Sequence, residues 1–284
     1  MAVKILVDST FDFTEEELAA LGLEVVRMRV LFGDEEFVDG LNITPRGFYE
    51  RLIESDELPT TSQASPADFS AAFERLTAAG DEVLCMTLSR KLSGTFQSAQ
   101  IAAEDFPGRV RVVDTESVTM GANILARYGL RLLGQGLGLE EAAAELERAR
   151  RRVHVLAMLD TLEYLRRGGR VTGLAALAGG MLAIKPVVTL RDGLVSVIGK
   201  ARGSKNAENL LTQTIDRCGV DFSMPYTLGY TGLSDAMLHK YKADSARLWA
   251  GQAEDLPVML IGSVIGTHAG PGAVGVAFFA LRDE

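Results

Sequence analysis

Two cysteines and three histidines are all that this 284-residue sequence offers toward disulfide or transition-metal chemistry. Cys85 and Cys218 lie far apart, with Cys85 inside an apolar run. Neither a disulfide framework nor a CxxC metal site is available, which suits a reducing cytoplasm. His154, His239 and His268 have no ligand-like spacing to one another or to cysteine, which argues against a metal site. Aromatic residues make up only 7%, so an apolar chamber would be lined by Leu, Val, Ile, Ala and Met. The G-x-x-x-x-G-K-[ST] phosphate cradle is missing, and with it support for direct ATP use. Positive charge is in deficit: the net charge of −9 argues against general nucleic-acid binding.

The opening "MAVKILVDST" has only a short apolar run, which reads as a strand and not as a leader. The one long uncharged stretch is Leu256 to Leu281, 26 residues without Asp, Glu, Lys or Arg. Its length would span a bilayer as a helix. Pro257, Pro271 and five glycines favour instead two buried strands joined by a tight loop. Within it Gly270, Gly272 and Gly275 have the G-x-G-x-x-G spacing of a dinucleotide cradle. That reading needs a following helix and strand, and only nine residues follow Gly275. The glycines are better read as backbone that approaches a ligand closely and places His268 beside it.

What remains is a globular composition, 47% apolar and 24% charged, with length for one large or two modest domains. "VKILVD" predicts a buried strand ending at Asp8, and Thr14-Glu-Glu-Glu17 a capping box opening a helix. "EVVRMRVLFGDEEFVDG" predicts an extended excursion turning at Gly33-Asp34. Thr44-Pro45 and Ser65-Pro66 each place a capping hydroxyl before a proline suited to a first helical position. "EVLCMTLS" and "RVRVVDT" predict two more strands, separated by a helix from near Ser93. Helices are expected over 118–134 and 139–153. A hairpin follows around Asp192-Gly193, then a helix, the strand "YTLGYTG", a helix near 234–251 and the closing strands. The grammar is α/β: a parallel, helix-covered sheet followed by a mixed α+β unit, packed closely with chain crossings.

Ligands of α/β sheets bind beyond the carboxyl ends of the strands. Three hydroxyl-rich loops compete for that place: "DSTFD", "PTTSQASP" and "SRKLSGTFQSA". In the third, Ser93-Gly94-Thr95 opens a helix, so backbone N–H groups and the positive dipole end join the hydroxyls as an anion site without formal charge. Singly, each hydroxyl is an ordinary helix cap. Ser93 with His268 also raises a hydrolase reading, although the G-x-S-x-G elbow is missing and no third residue can be assigned to orient the histidine.

"DSTFDF", "TSQASP", "LSGTFQSA", "VVDTES", "LEYLRRGGR", "AIKPVV" followed by "GKARG", and "IGTHAGPGAVG" stand in the order and rough spacing of the DegV family, and the sequence resembles that family over its whole length. The resemblance implies two subdomains, 1–155 and 156–284, with a fatty-acid tunnel between them. It implies a non-enzymatic, cytoplasmic carrier that binds one long-chain fatty acid. A separate fatty acid kinase then phosphorylates the bound carboxyl to an acyl phosphate, a step in phospholipid metabolism with transient membrane contact. No cofactor or metal is implied. Thr61 and Ser62 of "TSQ", Ser93, Gly94 and Thr95 of "SGT", and His268 would surround the carboxylate. Arg170 and Arg202 would face the kinase and not the tunnel. Ala64 stands where the family pattern has proline, a departure that spares the hydroxyls. The alternative is a serine-dependent esterase or lipid hydrolase using Ser93 and His268. From Arg148 to Lys205 the sequence holds twelve Lys or Arg against three acids. Such a segment is either a set of solvated helix faces or a docking face for an acidic partner.

Overall fold

The computed structural model describes residues 2–171, 184–249, 251 and 255–282. Four parallel strands form the first sheet, in the order β2-β1-β6-β7, from β1 (Val3–Asp8), β2 (Glu24–Val26), β6 (Glu82–Thr87) and β7 (Val110–Asp114). The charged excursion after β2 folds into an antiparallel sheet β4-β3-β5, from β3 (Arg29–Phe32), β4 (Glu35–Val38) and β5 (Thr60–Ser62). A second large sheet is mixed, in the order β10-β9-β8-β13-β11-β12. Its strands are β8 (Val153–Met158), β9 (Ile184–Arg191), β10 (Leu194–Arg202), β11 (Thr227–Tyr230), β12 (Val258–Leu260) and β13 (Val274–Phe279).

Local chemistry sets the helix starts. Thr14 closes a reciprocal box with Glu17 to open α1 (Glu15–Leu21). Thr44 and Ser65 cap α2 (Pro45–Glu54) and α3 (Pro66–Thr77), each with proline at its first turn. Next come α4 (Thr95–Ala103), α5 (Thr119–Gly134) and α6 (Leu139–Ala149). α3 and α4 cover one face of the parallel sheet, while α5 packs against β1 on one side and against β8, β11 and β13 on the other. Ile5, Met86, Ile124, Leu125 and Phe279 join both sheets through α5 in one core. α7 (Glu163–Gly168), α8 (Ser204–Cys218), α9 (Ala236–Asp244) and α10 (Ser263–Ala269) complete the chain, with α8 on the far face of the mixed sheet. No helix among the described residues is long and apolar enough to cross a membrane. The fold is the expected α/β arrangement of a parallel and a mixed sheet.

Four local expectations are corrected. The helix from Leu139 stops at Ala149, and a short 3-10 turn leads into β8, a strand deep in the mixed sheet that the arginine run Arg150–Arg152 masks. The uncharged stretch does give two strands, β12 and β13, but α10 joins them where a tight loop is expected. Gly266 serves helix packing: a Cβ there would stand 2.6 Å from Tyr49 Oη and 2.7 Å from Phe48 Cε1. Thr61 lies on an edge strand and not in a loop, paired across β3 with Val30. The 234–251 helix is α9 followed by a 3-10 turn to Trp249; residue 250 lies outside the described residues, as do 172–183 of the basic segment and of the "AIKPVV" motif its first residue.

Candidate functional site

Against the mixed sheet, under β5, the start of α4 and α10, lies a cavity of about 410 Å³. Its walls are aliphatic: Val155, Ala157, Val188, Leu190, Val264 and Ile265 are among them. Polar groups reach its lining from several elements, Thr119, Thr189 and Arg170 among them. β5 brings Thr61 and Ser62, the turn into α4 brings Ser93 and Gly94, and α10 brings His268. A small apolar chamber with a few convergent polar groups is the usual form of a small-molecule site.

Thr61 Oγ1 and His268 Nε2 are 3.0 Å apart. Ser93 Oγ is 2.9 Å from Thr95 Oγ1 and accepts from the Thr95 backbone N–H at 3.3 Å. Thr95 itself is buried behind Ser93, with its hydroxyl against Met28 Sδ, so it supports the site without lining it. Burial, aided by the Arg170 charge, pushes the His268 imidazole down to about 4, so the ring is neutral at physiological pH. A neutral imidazole carries one donor and one acceptor nitrogen. With Nε2 protonated it donates to Thr61 and frees the Thr61 hydroxyl hydrogen for an anion in the cavity.

α10 is held firmly enough to aim that ring. Tyr49 Oη donates to Ile261 O at 2.9 Å, and Ser263 Oγ donates to buried Asp39 at 2.5 Å. Asp12 accepts from Thr119 Oγ1 at 2.5 Å and from the Gly262 backbone N–H. Burial raises the carboxyls of Asp8, Asp12 and Asp39, Asp8 to about 6. The "DSTFD" segment therefore fixes backbone. It borders a larger groove of about 1000 Å³ that is rich in charged side chains such as Arg27 and Arg127, and not the apolar cavity.

Two residues escaped the sequence reading. Gln63 covers Gly94, where a Cβ would stand 2.0 Å from its Oε1, and it donates to Ser98 Oγ at 3.1 Å. Gly168 leaves room for His268: a Cβ there would stand 2.2 Å from Nδ1, a nitrogen buried without a hydrogen-bond partner. Glycine within the arginine run "RRGGR" is the only signal for the second, and its spatial partner is 100 positions away.

Arg170 is also placed differently from the expectation. It lines the cavity, donating to Leu92 O at 3.4 Å and to Gly168 O, so it does not face wholly away from the tunnel. Arg202 lies at the end of β10, exposed and away from the cavity lining. Much of the basic segment is locally neutralised: Arg148, Arg150, Arg152, Arg166, Arg167 and Lys185 each pair with an acid. The hydrolase arrangement is not assembled. Ser93 pairs with Thr95, His268 pairs with Thr61, and no carboxylate meets His268 Nδ1 among the described residues.

The profile of the DegV family, a family of uncharacterised proteins, matches residues 2–281, and the chain belongs to that family. A DegV domain-containing protein of Deinococcus radiodurans is 37% identical over 287 residues, covering 99% of both chains. Among solved structures, a DegV family protein of Thermus thermophilus described for its fatty acid binding superposes with a TM-score of 0.87. It is 35% identical, over 99% of this chain and 100% of that one. DegV of Bacillus subtilis, a fatty acid binding protein, gives 0.83 at 26% identity, over 99% of each chain.

Proposed function

We propose that this protein binds one long-chain fatty acid in the cavity between the lobes 1–155 and 156–284, and presents its carboxylate to a separate kinase for acyl-phosphate formation. The observation that carries the reading is an apolar chamber with uncharged donors gathered at Thr61, Ser93 and His268. Each methylene buried contributes about 0.8 kcal/mol, so ten would supply roughly 8 kcal/mol before the cost of immobilisation. The head group needs hydrogen bonds where water is excluded. The Thr61 and Ser93 hydroxyls supply them, with Ser62 beside them. Gly94 starts α4 without a side-chain cap, leaving that end of the helix to favour negative charge. Arg170 at the lining bonds Leu92 O and Gly168 O, so in this reading hydroxyls and not an arginine fork hold the carboxylate, which leaves an oxygen free to attack a phosphoryl group.

In this reading the protein works in the cytoplasm as a carrier, with transient contact to membranes where acyl chains are exchanged. Arg170 at the cavity and Arg202 outside it are the candidate contacts for the kinase. Titration with a labelled long-chain fatty acid, beside an assay for ester hydrolysis, tests the proposal. Saturable binding at one site without turnover is expected. Turnover lost in Ser93→Ala, with no fatty acid bound, would contradict it.

A further inference from the structure

One side chain on the cavity wall is packed in a way that its neighbours make unusual. Met120 lines the cavity from the first turn of α5 and is 1% exposed. It lies in a notch made by two glycines that face each other across the mixed sheet, Gly229 of β11 and Gly275 of β13. A Cβ on Gly229 would stand 2.7 Å from Met120 Sδ, and one on Gly275 would stand 2.6 Å from Met120 Cε. The same row continues to Ala157, paired with Gly275, and then to Val188, paired with Ala157. Gly275, Ala157 and Val188 all line the cavity. The floor of the chamber therefore runs on under Met120 as a trough, and the thioether fills the part over the glycines.

Met120 stands well away from the polar end. It packs with Ile261 in the same core, two residues before α10, whereas His268 is near the end of that helix, so the helical stretch from Ser263 to His268 alone puts about 7 Å of rise between them. Its backbone is fixed: Thr119 before it holds φ +42° and donates to Asp12. Methionine is unbranched and adapts its rotamer to the space offered.

Resting on the fatty-acid reading above, we propose that Met120 is the acyl-chain gauge of this protein, the residue whose length over the Gly229–Gly275 notch sets how long a chain the cavity takes. Truncation opens the notch to the ligand, because a close-packed interior leaves no other occupant for that volume. Enlargement drives the side chain into the cavity, because the glycines already touch it.

The test is binding of straight-chain saturated fatty acids of about twelve to twenty-two carbons to wild type, Met120→Ala, Met120→Leu and Met120→Phe. The chain length of tightest binding is expected to rise by about three carbons in Met120→Ala, the number of heavy atoms removed, and to fall in Met120→Phe. Met120→Leu conserves volume and keeps the test open if the alanine variant does not fold; its loss of the terminal methyl reach should shift the optimum upward by about one carbon. Wild-type binding with the same optimum in every folded variant overturns the gauge alone. Absence of binding at all lengths in wild type overturns the fatty-acid reading, and the gauge with it.

Discussion

Thr61 Oγ1 and His268 Nε2 meet at 3.0 Å across 207 positions of sequence, one from the edge strand β5 and the other from α10. The contact couples a hydroxyl that faces the apolar cavity to an imidazole that burial keeps neutral. A neutral donor pair can hold a carboxylate without pairing it to a permanent opposite charge.

Removing either hydroxyl should weaken fatty-acid binding. Thr61→Ala and Ser93→Ala are each expected to cost about 1.5–3 kcal/mol, the usual range for a hydrogen bond to a charged group. Thermal unfolding should change little, because both side chains are only partly buried. Titration of each variant with a labelled fatty acid gives the answer, and unchanged affinity in both would remove these hydroxyls from the site.

Gly168→Ala separates stability from function. Alanine is the better helix residue by about 1 kcal/mol. Its Cβ, however, would stand 2.2 Å from His268 Nδ1 and push the ring away from Thr61. Weaker fatty-acid binding is expected with only a small net change in stability, since the helix gain offsets part of the cost of displacing a buried ring. Equal affinity would mean that the ring position does not matter.

These residues also show what the sequence could and could not reveal. Capping boxes, Pro-initiated helices and the Asp192-Gly193 turn were legible, because each is a contact between near neighbours; both turn residues have positive φ, 48° and 75°. Strand β8 was not, since three arginines before it carry the helical charge pattern into its start. α10 was misread because its glycines suggest a loop, while Gly266 is there to admit Phe48 and Tyr49 of α2. Of the site, the hydroxyl residues and His268 could be named from the family resemblance. The pairing of Thr61 with His268, the seat of Gln63 on Gly94 and the clearance at Gly168 depend on long-range packing that no local pattern encodes.

The protonation of His268 should register in stability. Its folded value is depressed to about 4 from a reference of 6.5, so above 6.5 both folded and unfolded states hold it neutral. As pH falls from 6.5 to 4 the unfolded chain takes up the proton first, and stability is lost through that window. Denaturant unfolding across the window should therefore show a smaller pH dependence in His268→Gln than in wild type. An identical slope in the two proteins would place the titration elsewhere.

Charge reversal at the two arginines should give unlike results. Arg170→Glu puts a negative charge at the cavity, where it should weaken fatty-acid binding and raise the His268 value by removing the Arg170 contribution. Arg202→Glu is remote from the cavity lining and should leave binding unchanged while reducing phosphorylation of the bound acid by the kinase. Kinase association should weaken with salt, since exposed charges are screened over about 8 Å at physiological ionic strength. A reconstituted kinase assay beside the binding assay reads both effects; full phosphorylation with Arg202→Glu would make that residue ordinary surface.

The most direct measurement is the mass spectrum of what the purified, denatured protein releases into organic solvent. One free long-chain fatty acid per protein chain is expected from wild type, and much less from the Thr61→Ala, Ser93→Ala double variant. A wild-type protein that releases no fatty acid, and takes none up when it is supplied, would contradict the account.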